Sequence, residues 1–381
     1  MTVDLSEVHR EAAERARRFV TEAILPFATL IDEAQTTPAH VLHALRMNGW
    51  LGAALPARWG GGGLDPVAYG LVVEHFGWAC SSTRTLLTVH NMAAQVILRF
   101  GSSEQRERWL PPLCSGEKII AFALTETDAG SDATGIETEA QARPGEYRVS
   151  GMKIWCSYGL AADLYLVFAK CEGKPLALVI ERESPGLSVE PMRDAFGTRG
   201  SMLACLRLDG VLVPASHRIG SVGAGVNFVA NSALDHGRFS VAWGAVGIIR
   251  ACLDACVAYA SERRQGGVIL AQHQLIRRRL TDALLAHTTA RALCVRSGKL
   301  RMAADPRAAS ETSLAKYHAC EAALRVANDA IALHGANGCS PKFPVSRYLR
   351  DATVTNIIEG TREIHQVALA TYALQRPYLD D

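Results

Sequence analysis

The hydrophobic period of this chain changes twice, from helical to strand-like and back, and that double change restricts the fold more than any single residue does. From Val8 onward, Ala12, Ala16, Phe19, Val20 and Ala23 recur at helical spacing, with Arg15, Arg17, Arg18 and Glu22 on the opposite face. This predicts an amphipathic helix ending near Pro26. Further helical stretches run through Val41, Leu42, Leu45 and Met47, from Ala68 to His75, and from Thr88 to Phe100. Four consecutive glycines, Gly60 to Gly63, predict an irregular loop that can approach a ligand, and Pro111-Pro112 predicts a helix break. Residues 1–117 read as one helical domain.

At Lys118-Ile-Ile-Ala-Phe-Ala-Leu-Thr125 the period becomes strand-like and stays so for about a hundred residues. Further strands are expected at Glu146 to Val149, Leu164 to Phe168, Leu176 to Ile180, Leu187 to Glu190 and Cys205 to Val213, punctuated by Pro-Gly and Gly-x-Pro turns. Strands with no helices between them predict antiparallel pairing over residues 118–226. Helical spacing resumes near Asn227, through Val246, Ile249, Leu253 and Val257, then from Leu275 to Leu300, from Ser313 to Leu333, and from Glu363 to about Leu374. Residues 227–381 therefore read as a terminal helical bundle. The expected fold class is α+β, mostly α, with an antiparallel β-domain in the middle.

The chain has 381 residues, of which 49% are hydrophobic and 20% charged, enough for two or three cores and a large cofactor. A formal charge of +2 gives no sign of a nucleic-acid or membrane-surface partner. The apolar run Val241 to Ile249 stops at Arg250, short of a bilayer span, so no membrane helix is expected. The first residues show no basic-then-apolar leader, which makes a cytoplasmic location the expectation. Ten cysteines without paired metal-ligand spacing read as reduced thiols, and Cys252 and Cys256, one helical turn apart, read as core.

One carboxylate draws attention. Glu359 follows Ile357 and Ile358 and precedes Gly360, a context that desolvates a carboxyl group and raises its pKa toward the range of a general base. The same residues also suit an ordinary glutamate at a helix end. In the middle domain, Phe122-Ala-Leu-Thr-Glu-Thr-Asp-Ala-Gly-Ser-Asp132 is a strand running into a turn. Its backbone N–H groups beside Gly130, with the hydroxyls of Thr125 and Ser131, can bind an anionic or carbonyl-rich ring; a plain hairpin turn is the alternative. Trp155 and Ser157 are placed on one strand face, where the indole serves either a ligand or the core. No Gly-x-Ser-x-Gly elbow supports a serine hydrolase, and His273, between Gln272 and Gln274, reads as a surface or interface group.

Taken together, these stretches resemble the acyl-CoA dehydrogenase superfamily of flavoproteins. The resemblance rests on Leu124 to Asp132, Lys153-Ile-Trp-Cys-Ser157, Gly197-Thr-Arg-Gly-Ser201, Arg238 with Gly244, and Arg347-x-x-Arg-Asp through Glu359-Gly-Thr361, in family order over nearly the whole chain. It implies an N-terminal helical domain, a middle β-domain and a C-terminal four-helix bundle, assembled as a homodimer or homotetramer. It further implies FAD, bound through Leu124, Thr125, Gly130, Ser131, Trp155, Ser157, Arg263, Gln272, Asn337, Gly338, Thr361 and Glu363. Ser131, Arg238 and Gly360 would meet the substrate, and Glu359 would be the catalytic base that removes the proton α to a thioester carbonyl. Some relatives carry the base on an earlier helix, at the position of Gly237 here. Two positions depart from the family pattern: Gly266 stands where a Phe packs on a neighbouring subunit's adenine, and Ala332 where a Gln helps bind flavin across the subunit boundary.

Within the superfamily, Cys80-Ser-Ser-Thr-Arg84, Arg238 to Cys252 and Ile357-Ile-Glu-Gly360 resemble the branch that oxidises acyl groups on acyl carrier proteins to make polyketide extender units. Ile358 takes the place of the Tyr common in fatty-acyl enzymes. The alternatives are a catabolic enzyme of free acyl-CoA and a flavin-free scaffold. The electron acceptor is left open between a flavoprotein and oxygen. A basic patch of Arg84, Arg250 and Arg277-Arg-Arg279 is the candidate for a carrier-protein contact, with an ordinary charged helix face as its alternative.

Overall fold

The computed structural model describes residues 5–375. Six helices come first: α1 (Glu7–Ala23), α2 (Ala28–Ala34), α3 (Ala39–Met47), α4 (Pro66–Ala79), α5 (Ser81–Phe100) and α6 (Ser103–Ser115). The Ser6 hydroxyl caps α1 and Asp65 caps α4 through the N–H groups of Val67 and Ala68. Pro111 and Pro112 do not break the chain as expected; both lie inside α6. The carbonyls they deprive of donors belong to Glu107 and Arg108 on the exposed face, where water can satisfy them. The helix ends instead at Gly116, whose φ is 76°.

The middle domain is a sheet of β1 (Ile120–Ala123), β2 (Glu139–Arg143), β3 (Glu146–Cys156), β4 (Leu164–Cys171), β5 (Lys174–Glu181), β6 (Leu187–Pro191), β7 (Ala204–Pro214) and β8 (Arg218–Ile219). The strand order is β6-β7-β3-β2-β4-β5-β8, with β1 also paired to β4. The expectation of a purely antiparallel domain is corrected here: β1 runs parallel to β4, Ile120 opposite Leu164, and β2 meets β4 in parallel at Glu139 and Lys170. The Asp163 carboxylate, which accepts the Ile119 N–H at 2.7 Å, fixes this entry. β1 then leaves the sheet directly into the loop 124–138 instead of turning back as a hairpin.

One π-helical turn, Gly225–Ala230, leads into α7 (Asn231–Glu262). The short hairpin β9 (Arg264–Gln265) and β10 (Val268–Ile269) separates it from α8 (Gln274–Met302), followed by α9 (Ala308–His334), α10 (Val345–Thr355) and α11 (Arg362–Gln375). By length and composition alone, Gly225–Glu262 could cross a membrane, contrary to the sequence expectation, yet 67% of its most apolar window is buried inside the fold. It is the shared spine of the molecule, packed against α4, α5, α8, α9 and α10. Gly77 and Gly247 permit the α4–α7 approach, since a Cβ on Gly77 would lie 2.4 Å from the Gly244 carbonyl oxygen.

The middle and C-terminal domains are tied by the Gly197–Ser201 segment. The Thr198 N–H donates to Asp351 of α10 at 2.6 Å and the Gly200 N–H donates to Ser82 of α5 at 3.1 Å. Arg350 of α10 forms an ion pair with Asp32 of α2. These cross-links hold α10 rigidly just before the turn that carries Glu359.

Candidate active site

Glu359 sits in the turn between α10 and α11, with φ at 58°, followed by Gly360 at 100°. Two successive left-handed residues, the first a glutamate, put strain of roughly 1 kcal/mol or more into the turn. Two cations hold it there through the backbone. Arg238 Nε donates to the Glu359 carbonyl at 3.1 Å, and Lys316 Nζ donates to the Gly360 carbonyl at 2.7 Å. Thr361 begins α11, its hydroxyl accepting the Ile364 N–H at 3.4 Å.

Because both cations bond to carbonyls, the carboxylate is left without a partner. Oε2 of Glu359 is buried and accepts no hydrogen bond. Burial pushes the carboxyl up to about 7; Arg238, Lys316 and Arg84 pull the other way and offset only part of it. On the opposite wall, a Cβ on Gly237 would lie 2.7 Å from both Cδ and Oε2 of Glu359 and 2.7 Å from Met92 Sδ. His365, buried beside the turn, is held down to about 4 by burial and then by Lys316 and Arg238, so it stays neutral near pH 7.

The loop 124–138 is pinned from below by a buried ion pair. Glu126 accepts hydrogen bonds from Lys153 Nζ, from the Thr138 hydroxyl and from the N–H groups of Glu137 and Thr138. Lys153 also donates to the Leu124 carbonyl at 3.1 Å, and the Ile154 N–H donates to the Thr125 carbonyl at 2.9 Å. Burial lowers Lys153 to about 8, with Glu126 opposing the shift. Leu124 is nearly buried, while Gly130 and Ser131 stand exposed, with nothing within 4 Å of a Cβ added at Gly130.

Trp155 is not core. It is 53% exposed and has φ of 57°, and its N–H donates to Met192 Sδ at 3.2 Å. The expected common strand face of Trp155 and Ser157 is also corrected: the β3–β7 register shifts between Lys153 and Cys156, and Ser157 lies in the turn after β3. The irregularity swings the indole off the sheet.

A second group of expected cofactor residues lies elsewhere. Arg263 and Gln272 are exposed at the junction of α7 and α8, and Asn337 Nδ2 donates to the Tyr259 hydroxyl at 3.0 Å. Gly338 is buried, packed against the Ile331 carbonyl. From Gly237 to Tyr259 is 22 residues of one helix, about 33 Å at 1.5 Å per residue. Within one chain, this group and Glu359 belong to different ends of the bundle. Glu363 is exposed and paired with Arg362.

Several groups at the site went unremarked in the sequence: Lys316, Met92, His365 and the Glu126–Lys153 pair. Lys316 had a visible signal, a lone cation on the apolar face formed by Ala315, Ala319 and Ala323. The basic-patch reading fails for Arg84, which is fully buried. Arg250 is occupied with Trp78, His75 and Asp254.

This geometry suits a flavin. An exposed indole at positive φ, an open Gly130–Ser131 turn over a rigid ion pair, and a buried carboxylate oxygen without a partner suit a large planar ligand and its substrate. Family models for the acyl-CoA dehydrogenase N-terminal, middle and C-terminal domains match residues 6–117, 121–211 and 223–374. The human mitochondrial short-chain specific acyl-CoA dehydrogenase is 34% identical over 380 residues, 98% of this chain and 92% of the relative. Butyryl-CoA dehydrogenase from Megasphaera elsdenii superposes with a TM-score of 0.94 at 31% identity, covering 98% of this chain and 100% of that one. A glutaryl-CoA dehydrogenase from Mycobacterium smegmatis in complex with FADH2 gives a TM-score of 0.92 at 26% identity, over 99% of this chain and 97% of the other. FkbI, described as acting in biosynthesis of the methoxymalonyl extender unit of a polyketide immunosuppressant, gives 0.89 at 34% identity, covering 95% and 99%. The chain belongs to the acyl-CoA dehydrogenase family and is an FAD-dependent oxidoreductase.

Proposed function

We propose that the chain oxidises a short acyl thioester presented on an acyl carrier protein, with Glu359 as the base that takes the α-proton. The observation that carries the reading is the buried, unpartnered Oε2 of Glu359, held near neutral pKa on a turn fixed by Arg238 and Lys316. FAD, when bound, supplies the acceptor for the hydride lost from the neighbouring carbon. Leu124, Thr125, Gly130, Ser131, Trp155, Ser157 and Thr361 would hold it. Trp155, exposed beside them, would exclude water from the reacting carbons. The Glu359 N–H donates to the thioester oxygen, where negative charge grows as the α-proton leaves.

The carrier-protein substrate is supported by the likeness to the prolyl acyl carrier protein oxidase AnaB, 28% identical over 97% of the chain with a TM-score of 0.91, and to FkbI of extender-unit biosynthesis, together with Ile358 beside Glu359. The remaining cofactor residues, Arg263, Gln272, Asn337 and Gly338, complete the site from a second copy of the chain in a homodimer or homotetramer. Exposed leucines on α8, Leu275, Leu284 and Leu285, supply apolar surface for that assembly.

The test is anaerobic bleaching of the flavin with one acyl group presented on CoA and on a phosphopantetheinyl carrier protein. Rapid bleaching on the carrier alone supports the reading. Equal or faster bleaching on CoA replaces it with a catabolic acyl-CoA dehydrogenase. No bleaching by any thioester removes the activity altogether.

A further inference from the structure

Two lysines are enclosed among the described residues, and only one of them has a counter-ion. Lys153, 0% exposed, pairs with Glu126. Lys316, 1% exposed, pairs with no carboxylate among the described residues. Glu321, five residues further along α9, faces Arg362, and the thiol of Cys320, one turn on, is pushed up by burial and stays neutral. The ammonium of Lys316 donates instead to a neutral acceptor, the Gly360 carbonyl, at 2.7 Å.

Holding the turn does not by itself require that charge. α9 already grips the same loop one helical turn away, where Asn356 Nδ2 donates to the Cys320 carbonyl at 3.2 Å. An amide at 316 would satisfy the Gly360 carbonyl at a much smaller cost of desolvation. That cost shows in Lys316 itself, whose pKa is pushed down by burial and further by Arg238, with Cys320, Glu359 and Glu321 opposing. The surrounding charges are also lopsided. Arg238 from α7, Lys316 from α9 and Arg84 from α5 all act on Glu359, while His365 from α11 stays neutral near pH 7. Three cations face one carboxylate, and once it takes a proton they face none.

We propose that Lys316 is a positioning residue whose enclosed charge, held against the back of the base turn, favours the enolate of the bound thioester. The proposal rests on the reading of Glu359 as base and of its N–H as the donor to the thioester oxygen. When the α C–H bond breaks, the proton goes to Glu359 and the electron pair forms the carbon–carbon double bond of the enolate, as the carbonyl pair moves onto oxygen. One negative charge thus passes from protein to substrate. The oxygen that receives it meets the turn backbone two peptide units from the carbonyl that Lys316 holds, whereas the carboxylate reaches away from the turn toward Gly237. A fixed cation behind that backbone favours the charge after transfer over the charge before it.

The test reads the enolate apart from turnover. Acetoacetyl groups on CoA and on a phosphopantetheinyl carrier protein hold a carbon acid between two carbonyls, which ionises without passing electrons to flavin. Their enolate absorbance is titrated with pH on the Glu359→Gln holoenzyme, so that the carboxylate's own ionisation does not enter. Adding Lys316→Gln, which keeps a donor for the Gly360 carbonyl and removes the charge, is expected to raise the pKa of the bound acetoacetyl group by about one unit. Lys316→Arg keeps the charge and is expected to stay within about 0.3 unit of the parent. Should Lys316→Gln not fold, Lys316→Met takes its place with the same expected shift. A shift under about 0.3 unit in the neutral variant overturns the proposal, as does an equally large shift with Lys316→Arg. Flavin reduction by butyryl thioesters in Glu359→Gln alone is read separately. Its persistence would sink the assignment of the base, a failure told apart from that of Lys316 by the comparison of enolate pKa values.

Discussion

Gly237 and Glu359 face one another across the same small space: a Cβ on the glycine would lie 2.7 Å from the carboxylate carbon. The base can occupy this space from α10–α11 only because α7 leaves it empty. Met92 Sδ and the glutamate tip are both flexible, so Gly237→Ala should fold with little loss of stability while displacing the carboxylate. A displacement on the scale of 1 Å can cost about 100-fold in rate. Stopped-flow flavin reduction should show a fall of 10- to 100-fold with an unchanged melting temperature. Unchanged reduction kinetics would show that the carboxylate position is not critical.

The pH dependence of Glu359 has two signs. The base works ionised, so flavin reduction should rise with pH through about 7 and level off above it. Stability runs the other way. The folded carboxyl holds its proton up to about 7 while the unfolded one releases it near 4.5, so the folded state binds more protons between those values and loses stability as pH rises. The cost of a shift this size is about 3 kcal/mol, fully present above pH 7. Glu359→Gln should therefore melt higher than the parent at pH 8, with the difference vanishing below pH 4.5. Equal melting at pH 8 would mean that burial does not perturb the carboxyl.

Trp155 contributes little to the apo fold, being half exposed at positive φ. Trp155→Ala should leave the melting temperature of the flavin-stripped protein within about 2 °C, the range of surface substitutions. The purified protein should carry much less flavin, read from the ratio of visible to ultraviolet absorbance. Full flavin content would refute its role in holding the ring.

Lys153 and Glu126 are nearly inaccessible, 0% and 8% exposed. Replacing one partner strands the other, so Lys153→Met should cost about 3–5 kcal/mol in denaturant unfolding and loosen the flavin with it. A loss under about 1 kcal/mol would class the pair with surface ion pairs.

How far these features could be read from the sequence depended on whether each was local. The long amphipathic helices and most strands follow from periodicity. β2 escaped because Glu139-Ala-Gln-Ala-Arg143 is a polar strand with one buried residue, Ala140. α6 passed through Pro111-Pro112 because solvent could take the freed carbonyls, something local sequence does not show. The parallel entry of β1 depends on Asp163, 44 residues from Ile119. Within the site, Glu359 was legible from its neighbours. Arg84 looked like surface charge, because its burial is created by the bare face of Gly244 on another helix.

Asn337 is bonded to Tyr259, which lies about 33 Å along α7 from Gly237 beside Glu359, and Arg263 and Gln272 follow that end of the helix; in the proposed assembly a second copy brings this group to the flavin. The departures at Gly266 and Ala332 thin the contact expected across that boundary. Leu284 and Leu285, each more than half exposed on α8, offer the apolar surface that an assembly would cover. The double substitution Leu284→Arg, Leu285→Arg should yield a monomer by light scattering, and that monomer should lose its flavin on gel filtration while keeping its helical circular dichroism. A monomer that retains stoichiometric flavin would mean that one chain completes the site by itself, and that Arg263, Gln272 and Asn337 have no part in it.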